Sequence, residues 1–353
     1  MKKAMLVKLS SLGDVIFNIP LANVLKRNGY EVTWLVSEKG IDVIDGNPAV
    51  KNAILVPFQR WKKEGFSLKS IFEFIEIIKK IRQEHFDLAI DTQTMFKSML
   101  LMLFSGAKKR VCLKNARELA SLGGNVLIDQ ILCPNYSVHA VFMYLWFAKC
   151  IGLDGADEVQ FTLPPTSEET KLKVDSLLKD IEKSKPIVVI APATTRRLKH
   201  WNKDNWKTVA DAIGDKCNLV FTGGACDNEL ISYISGGKFL NLAGKTSIRD
   251  LIEIYSRAKL VMAPDSGSVQ IARASNIPAV ISIFCATPST MYGPFGDDNK
   301  YFAVSGELKC QPCYNTTKCP LIGEDAEQCI NYPRPEKIIN IVNKILQNSK
   351  HSV

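Results

Sequence analysis

Short apolar runs alternate with amphipathic stretches along almost the whole of this 353-residue chain, and that rhythm constrains the fold more than any other feature. A run of four to eight apolar residues is the pattern of a strand buried on both faces. An amphipathic stretch between two such runs is the pattern of a crossover helix, and the two in alternation give parallel sheets covered on both sides. The expected class is therefore α/β, doubly wound. Strands are expected at 4–9, 31–36, 53–56 and 88–91, and in the second half at 187–190, 219–222, 239–242, 260–263 and 279–284. Helices are expected at 14–27, 71–84, 269–275 and 336–348, with 96–153 mainly helical. Pro20 falls inside the first helix, where it should bend it. Ser247 and Asp250 have the spacing of a capping box. Pro164-Pro165, followed by a lysine- and glutamate-rich stretch, separates a first domain at 1–165 from a second at 185–334. The helix in 335–353 could pack back on the first.

Composition narrows the class of function. With 46% hydrophobic and 23% charged residues the chain is globular, not disordered. The apolar run after Met1-Lys2-Lys3 stops at Lys8, too short for a signal peptide, and no segment nears the roughly 20 apolar residues that span a bilayer. A cytosolic protein is expected. Its net charge of +9 is dispersed and accompanies no nucleic-acid module, so it suits either a plain solvated surface or partners that are anionic small molecules or an anionic membrane, and no nucleic acid. Four of the ten cysteines, Cys310, Cys313, Cys319 and Cys329, crowd one segment, 310–329. In a reducing compartment the C-x-x-C pair suits a structural zinc or iron site. Nine residues separate the second pair, and free thiols or disulfides stay open.

Ligands of open α/β sheets bind beyond the carboxyl ends of the strands. The turns that follow the strands here carry the polar residues. After the first come Ser10, Ser11, Gly13 and Asp14; the carboxylate suits either a helix cap or a catalytic base. The loop has neither G-x-G-x-x-G nor a Walker sequence, which removes support for dinucleotide and P-loop chemistry. Thr194, Thr195, Arg196, Arg197 and Lys199 follow the 187–190 strand, with hydroxyls and cations suited to a diphosphate or to a solvated loop. Asp265-Ser266-Gly267 opens a helix, a place for a phosphate or for a plain cap. Asp227 and Glu229 follow a glycine turn and could accept ribose hydroxyls or only begin a helix. Arg60, Lys63, Lys97, Arg117 and His139 are candidates for an anionic acceptor; the histidine is better explained as structural.

Together, Val7–Val15, Asp91-Thr92-Gln93 with Lys97-Ser98, Thr194-Thr195 with Lys199-His200-Trp201, and Asp265-Ser266-Gly267 resemble the ADP-heptose:lipopolysaccharide heptosyltransferases in order and spacing. The likeness runs over nearly the whole chain. Arg60-Trp61-Lys62-Lys63 and Ala116-Arg117-Glu118 most resemble the heptosyltransferase I members, which add heptose to Kdo on lipid A. The resemblance implies a GT-B architecture, two doubly wound Rossmann-like domains facing a central cleft. It also implies an inverting transfer that needs no cofactor. Asp14 would be the base. Ser10, Ser11, Thr194, Thr195, Lys199, Asp265, Ser266, Gly267 and Gln270 would bind the donor, ADP-heptose, with Glu229 at the ribose and Asp227 as its rival. Arg60, Lys63, Lys97 and Arg117 would bind Kdo-lipid A, with the protein peripheral at the cytoplasmic face of the inner membrane. One departure is Gln270, where the family carries histidine; glutamine donates a neutral hydrogen bond and no charge. The other is the cysteine segment, absent from the simplest such enzymes and similar to clusters in protein-modifying members that bind iron.

Overall fold

A computed structural model describes residues 1–65 and 67–347. The chain divides into two compact units, Met1–Pro165 and a second that begins at Thr166. The first contains β1 (Lys2–Val7), β2 (Tyr30–Val36), β3 (Asn52–Leu55), β4 (Leu88–Asp91), β5 (Lys109–Leu113) and β6 (Val126–Ile128) in one sheet of order β3-β2-β1-β4-β5-β6. The second contains β7 (Ile187–Ile190), β8 (Asn218–Phe221), β9 (Leu240–Asn241), β10 (Leu260–Pro264), β11 (Val280–Phe284) and β12 (Tyr301–Ser305), in order β12-β11-β10-β7-β8-β9. Every pairing is parallel. Counted within each unit, both sheets have the doubly wound order 3-2-1-4-5-6. The chain direction reverses beside β1 in one and beside β7 in the other, and a crevice opens at such a switch point.

The central strands are apolar because helices cover both of their faces. Met5, Val7, Leu35 and Ala89 pack on Trp61, Ile77, Ile81 and Leu101 in the first core. Val188, Ile190, Leu219 and Phe221 pack on Trp201, Trp206, Val209 and Ile213 in the second. The capping box closes as its spacing suggests: the Ser247 hydroxyl accepts from Asp250 N at 3.1 Å, and Asp250 Oδ2 accepts from Ser247 N at 2.8 Å.

Three expectations are corrected. The helix expected at 14–27 is two, Leu12–Phe17 and Ile19–Arg27, parted at Asn18. Pro20 lies in the first turn of the second, where its missing N–H has no partner to lose. The stretch 96–153 is not mainly helical, since β5 and β6 lie between the helices Phe96–Phe104 and Ala140–Cys150. β5 opens on Lys109-Arg110 and β6 has three residues, so neither shows the apolar run that marks a strand; pairing outward from β4 defines them. The C-terminal helix, Pro335–Gln347, packs on the helix Lys203–Ile213 of the second unit. Ile338 and Val342 complete that unit's core. The remainder of the expected 335–353 segment lies outside the described residues.

Candidate functional site

At the switch point of the first sheet, the loops leaving β1 and β4 are locked together. Gln93 Oε1 accepts from Leu9 N at 2.9 Å and Ser10 N at 3.1 Å. Asp91 in turn fixes Gln93: its Oδ1 accepts from Gln93 N at 2.8 Å and Thr94 N at 3.1 Å, and its Oδ2 from the Ser98 hydroxyl at 2.8 Å. Asp91 is fully buried, and burial pushes its carboxyl up to about 6 against the pull of those hydrogen bonds. The Asp91-Thr92-Gln93…Ser98 set is thus the frame that shapes the Ser10–Ser11 loop.

Asp14 is the third residue of the helix that follows. Its Oδ2 accepts from Ser11 N at 3.1 Å and from the Ser11 hydroxyl at 2.8 Å, as a capping carboxylate does. Its Oδ1 accepts from the Tyr144 hydroxyl at 2.8 Å. The buried Lys8 stands behind them, with Nζ 3.2 Å from both Thr92 O and Tyr144 Oη and 4.8 Å from the Tyr144 ring centre. Burial alone would raise the Asp14 carboxyl. The Lys8 ammonium, the Ser11 hydroxyl and N–H, and the Tyr144 hydroxyl outweigh it and hold the group below its ordinary range. Burial lowers the Lys8 ammonium, opposed by Asp14 and Asp91. Sequence reasoning missed Tyr144 altogether. Its one signal is a phenol in the helix Ala140–Cys150, apolar up to Lys149, since a half-buried tyrosine hydroxyl seeks a partner.

Of the acceptor candidates, Lys97 and Arg117 lie close enough to Lys8 for their charges to lower it further. Lys97 is half-buried, its Nζ 5.5 Å from the Phe58 ring centre, and burial lowers its ammonium. Lys63 is exposed on the helix Phe58–Glu64. Arg60 departs from expectation. Its guanidinium forks onto Glu73 at 2.7 and 3.3 Å, and Trp61 Nε1 donates to the same carboxylate at 2.6 Å. The arginine therefore ties two helices together instead of offering its fork to a ligand. His139 caps its helix, with Nδ1 accepting from Val141 N at 3.2 Å, and packs edge-on against Phe17.

The second sheet repeats the arrangement between β7 and β10. Lys199, in the short 3-10 turn after β7, places Nζ 2.6 Å from Asp265 Oδ2. The Thr287 hydroxyl donates to the same oxygen at 2.7 Å, and the Thr194 hydroxyl donates to Asp265 O at 3.2 Å. Ser266 occupies the N-cap position of the helix Gly267–Ala274 without capping it, since its hydroxyl is buried with no hydrogen-bond partner among the described residues. An orphaned polar group costs about 1–3 kcal/mol, and an anion at the helix N-terminus would satisfy it. Thr195 is exposed in the facing loop.

Two donor expectations change. Gln270 is 2% exposed, and its amide nitrogen donates to Tyr292 O at 2.9 Å. That bond anchors the side chain within the unit and occupies one of the two N–H groups of the amide. Asp227 Oδ2 accepts from Gly224 N at 2.8 Å and closes the glycine turn, which leaves Glu229, exposed in the first turn of the next helix, as the ribose candidate. A side chain at Gly223 would meet Ile231 at 2.9 Å, so that turn admits only glycine without rearrangement.

Residues 74–321 match glycosyltransferase family 9, the heptosyltransferases. The chain belongs to that family. Lipopolysaccharide heptosyltransferase 1 of Escherichia coli O18:K1:H7 is 25% identical over 92% of this chain and 98% of its own. A family 9 glycosyltransferase from Veillonella parvula superposes with a TM-score of 0.78 at 18% identity, covering 98% of this chain and 97% of that one. Escherichia coli heptosyltransferase WaaC, solved with ADP, gives 0.72 at 21%, covering 97% and 99%. The shared fold is GT-B, two Rossmann-like domains.

In this glycosyltransferase the cysteine-rich segment braces the Lys199 loop. Leu198 N donates to Thr316 O at 3.0 Å, Asn202 N to Ile330 O at 2.8 Å and Trp201 Nε1 to Pro333 O at 2.9 Å, while Arg197 pairs with Glu327 at 2.7 Å. Burial pushes the Cys329 thiol up to about 11, aided by nearby Cys313, Cys310 and Cys319. Among the described residues, however, no three His, Cys, Asp or Glu side chains are arranged to hold a metal ion. The four thiols are neighbours without forming a ligand set, so the zinc or iron expected from C-x-x-C spacing does not fit this geometry.

Proposed function

We propose that this enzyme transfers heptose from ADP-L-glycero-D-manno-heptose to Kdo of the lipopolysaccharide inner core, with inversion at the anomeric carbon. The observation that carries the proposal is the Asp14 carboxylate, held ionised at the carboxyl end of β1 by Lys8, Ser11 and Tyr144. The likeness to lipopolysaccharide heptosyltransferase 1 supports heptosyl transfer to lipopolysaccharide.

The acceptor hydroxyl gives its proton to Asp14 as its oxygen attacks the anomeric carbon. The bond to ADP breaks with its electron pair on the departing diphosphate. Lys199, the orphaned Ser266 hydroxyl, Thr195 and the N–H groups at Gly267 take up that charge, while the Thr194 hydroxyl, committed to Asp265 O, ties the two turns together. Asp265, fixed by Thr287, holds the ammonium in place. With cations and N–H dipoles in place the step requires no metal. The first domain, residues 1–165, supplies the base and meets the acceptor's carboxylates and phosphates through Lys63, Lys97 and Arg117. The second binds the ADP-sugar, with Glu229 at the ribose. An acceptor panel tests this. Labelled heptose should enter Kdo-lipid A but neither an already heptosylated core nor protein. Transfer to the heptosylated core alone would move the acceptor one sugar outward, and donor binding without transfer to any acceptor would overturn the proposal.

A lipid-borne acceptor needs a protein that meets the membrane, and no helix among the described residues is long and apolar enough to cross one. The helix Leu68–Gln83 offers a docking face. Ile77 and Ile81 bury one side, while Leu68, Ile71, Phe72 and Ile75 line the other at i, i+3, i+4 and i+7, exposed by 75, 53, 66 and 41%. Lys62, Lys63, Lys69, Lys79 and Lys80 are exposed around them. An apolar stripe among lysines matches an anionic lipid surface. The double variant Ile71→Ser/Phe72→Ser should bind phosphatidylglycerol-containing vesicles at least about tenfold more weakly, since burying each side chain contributes roughly 1.5–3 kcal/mol. Turnover of a de-acylated acceptor should be retained. Undiminished vesicle binding would contradict this placement.

A further inference from the structure

An ionised carboxylate offers about four lone-pair sites to hydrogen-bond donors. At Asp14 three are filled, two on Oδ2 by the Ser11 N–H and hydroxyl and one on Oδ1 by the Tyr144 hydroxyl. One site remains, on Oδ1, and the phenol decides where it points. Tyr144 can donate in only one direction, and Lys8 sets it. The ammonium has no acceptor capacity, so by donating to Tyr144 Oη at 3.2 Å it fills a phenol lone pair and turns the phenol hydrogen toward Asp14. Thr92 O anchors Lys8 from the other side at 3.2 Å, and the Tyr144 ring covers it. The result is a polar chain from the β4 loop through Lys8 and Tyr144 to the carboxylate, contributed by three separate parts of the first unit.

We propose that Lys8 and Tyr144 are positioning residues for the transfer: Lys8 orients the Tyr144 hydroxyl, and Tyr144 leaves one oxygen of Asp14, Oδ1, with a single open direction for the acceptor's proton. The proposal rests on Asp14 being the base and goes beyond it by assigning the atom that takes the proton and the two side chains that aim it. The proton lost by the acceptor hydroxyl comes to rest on Asp14 Oδ1, while Oδ2 stays engaged by Ser11.

The charged groups around the chain fix the sign of the pH effect. Lys8 faces Asp14 and Asp91, with Lys97 and Arg117 as the nearby cations. His139 opens the Tyr144 helix and packs on Phe17, in the helix that carries Asp14. The base form of Asp14 is the ionised one, so activity is lost as pH falls through its native pKa. Removing the Lys8 charge leaves burial in place and takes away the largest influence that lowers that pKa, so the acidic limb must move to higher pH.

The test is the pH profile of kcat/KM for the acceptor in wild type, Lys8→Met, Lys8→Arg and Tyr144→Phe. Lys8→Met should raise the acidic limb by roughly one unit, the low end of what one nearby opposite charge produces. Lys8→Arg should restore it in large part. Tyr144→Phe keeps the ring over Lys8 and so preserves packing; it should shift the limb the same way by less and lower kcat more than it raises donor KM. A limb that stays at its wild-type pH in both Lys8→Met and Tyr144→Phe, with activity lower by the same factor at every pH, would show a purely structural role and overturn the proposal. If Lys8→Met does not fold, the Tyr144→Phe limb decides alone. Failure of the underlying base assignment is separately visible as an Asp14→Asn variant that still turns over.

Discussion

Asp14→Asn should lower turnover by about 10²–10⁴-fold, the range supplied by a positioned general base, while affinity for ADP stays within a few fold of wild type. The substitution preserves volume, so the core beneath it, Val15 and Ile16, is undisturbed. What it removes is the acceptor for the sugar hydroxyl's proton. The amide still fills the space between Ser11 and Tyr144 and its oxygen can still accept from Ser11 N, so the change at the cap costs at most about 1 kcal/mol of stability. Turnover and melting temperature measured on the same preparation separate the two effects. A folded variant within about tenfold of wild-type turnover would remove Asp14 from the role of base.

Lys199→Ala should cost about 10²–10³-fold in kcat, the usual effect of deleting one group that stabilises charge developing on a leaving oxygen. The ammonium is partly buried and already paired at 2.6 Å with Asp265, so its deletion also strands a buried carboxylate. The double variant Lys199→Met/Asp265→Asn distinguishes chemistry from stability, because it removes both charges. Its melting temperature should recover toward wild type while turnover stays low. Recovery of turnover along with stability would mean that Lys199 serves the fold and not the departing diphosphate.

Much of this architecture is legible in one sequence because parallel strands announce themselves. β7 and β10 are continuous apolar runs, β1 becomes one after Lys2-Lys3, β4 is one up to Asp91 and β11 is broken only by Ser282, and the loops that follow β1, β4, β7 and β10 flank the two switch points. β5 and β6 are not legible, since their strand character comes from pairing next to β4 and not from their own residues. The candidate site divides in the same way. The Lys199 and Asp265 turns are local patterns, and the structure joins them directly. Tyr144 stands 130 residues from Asp14, inside a helix whose composition indicates only burial. Arg60 and Gln270 show the converse. Each belongs to a motif that suggests a ligand, yet Glu73 holds one and the Tyr292 carbonyl holds the other. No local pattern reveals a partner 13 or 22 residues away whose geometry the tertiary fold decides.

A single displacement driven by one carboxylate has a stereochemical consequence that no binding measurement shares. The decisive measurement is the anomeric configuration of the new glycosidic bond, read by NMR from the one-bond carbon–hydrogen coupling of heptosylated Kdo-lipid A made by this enzyme from ADP-heptose of known configuration. Inversion relative to the donor is the result predicted for Asp14 as sole base. Retention would require a second nucleophile or a front-face path and would contradict it.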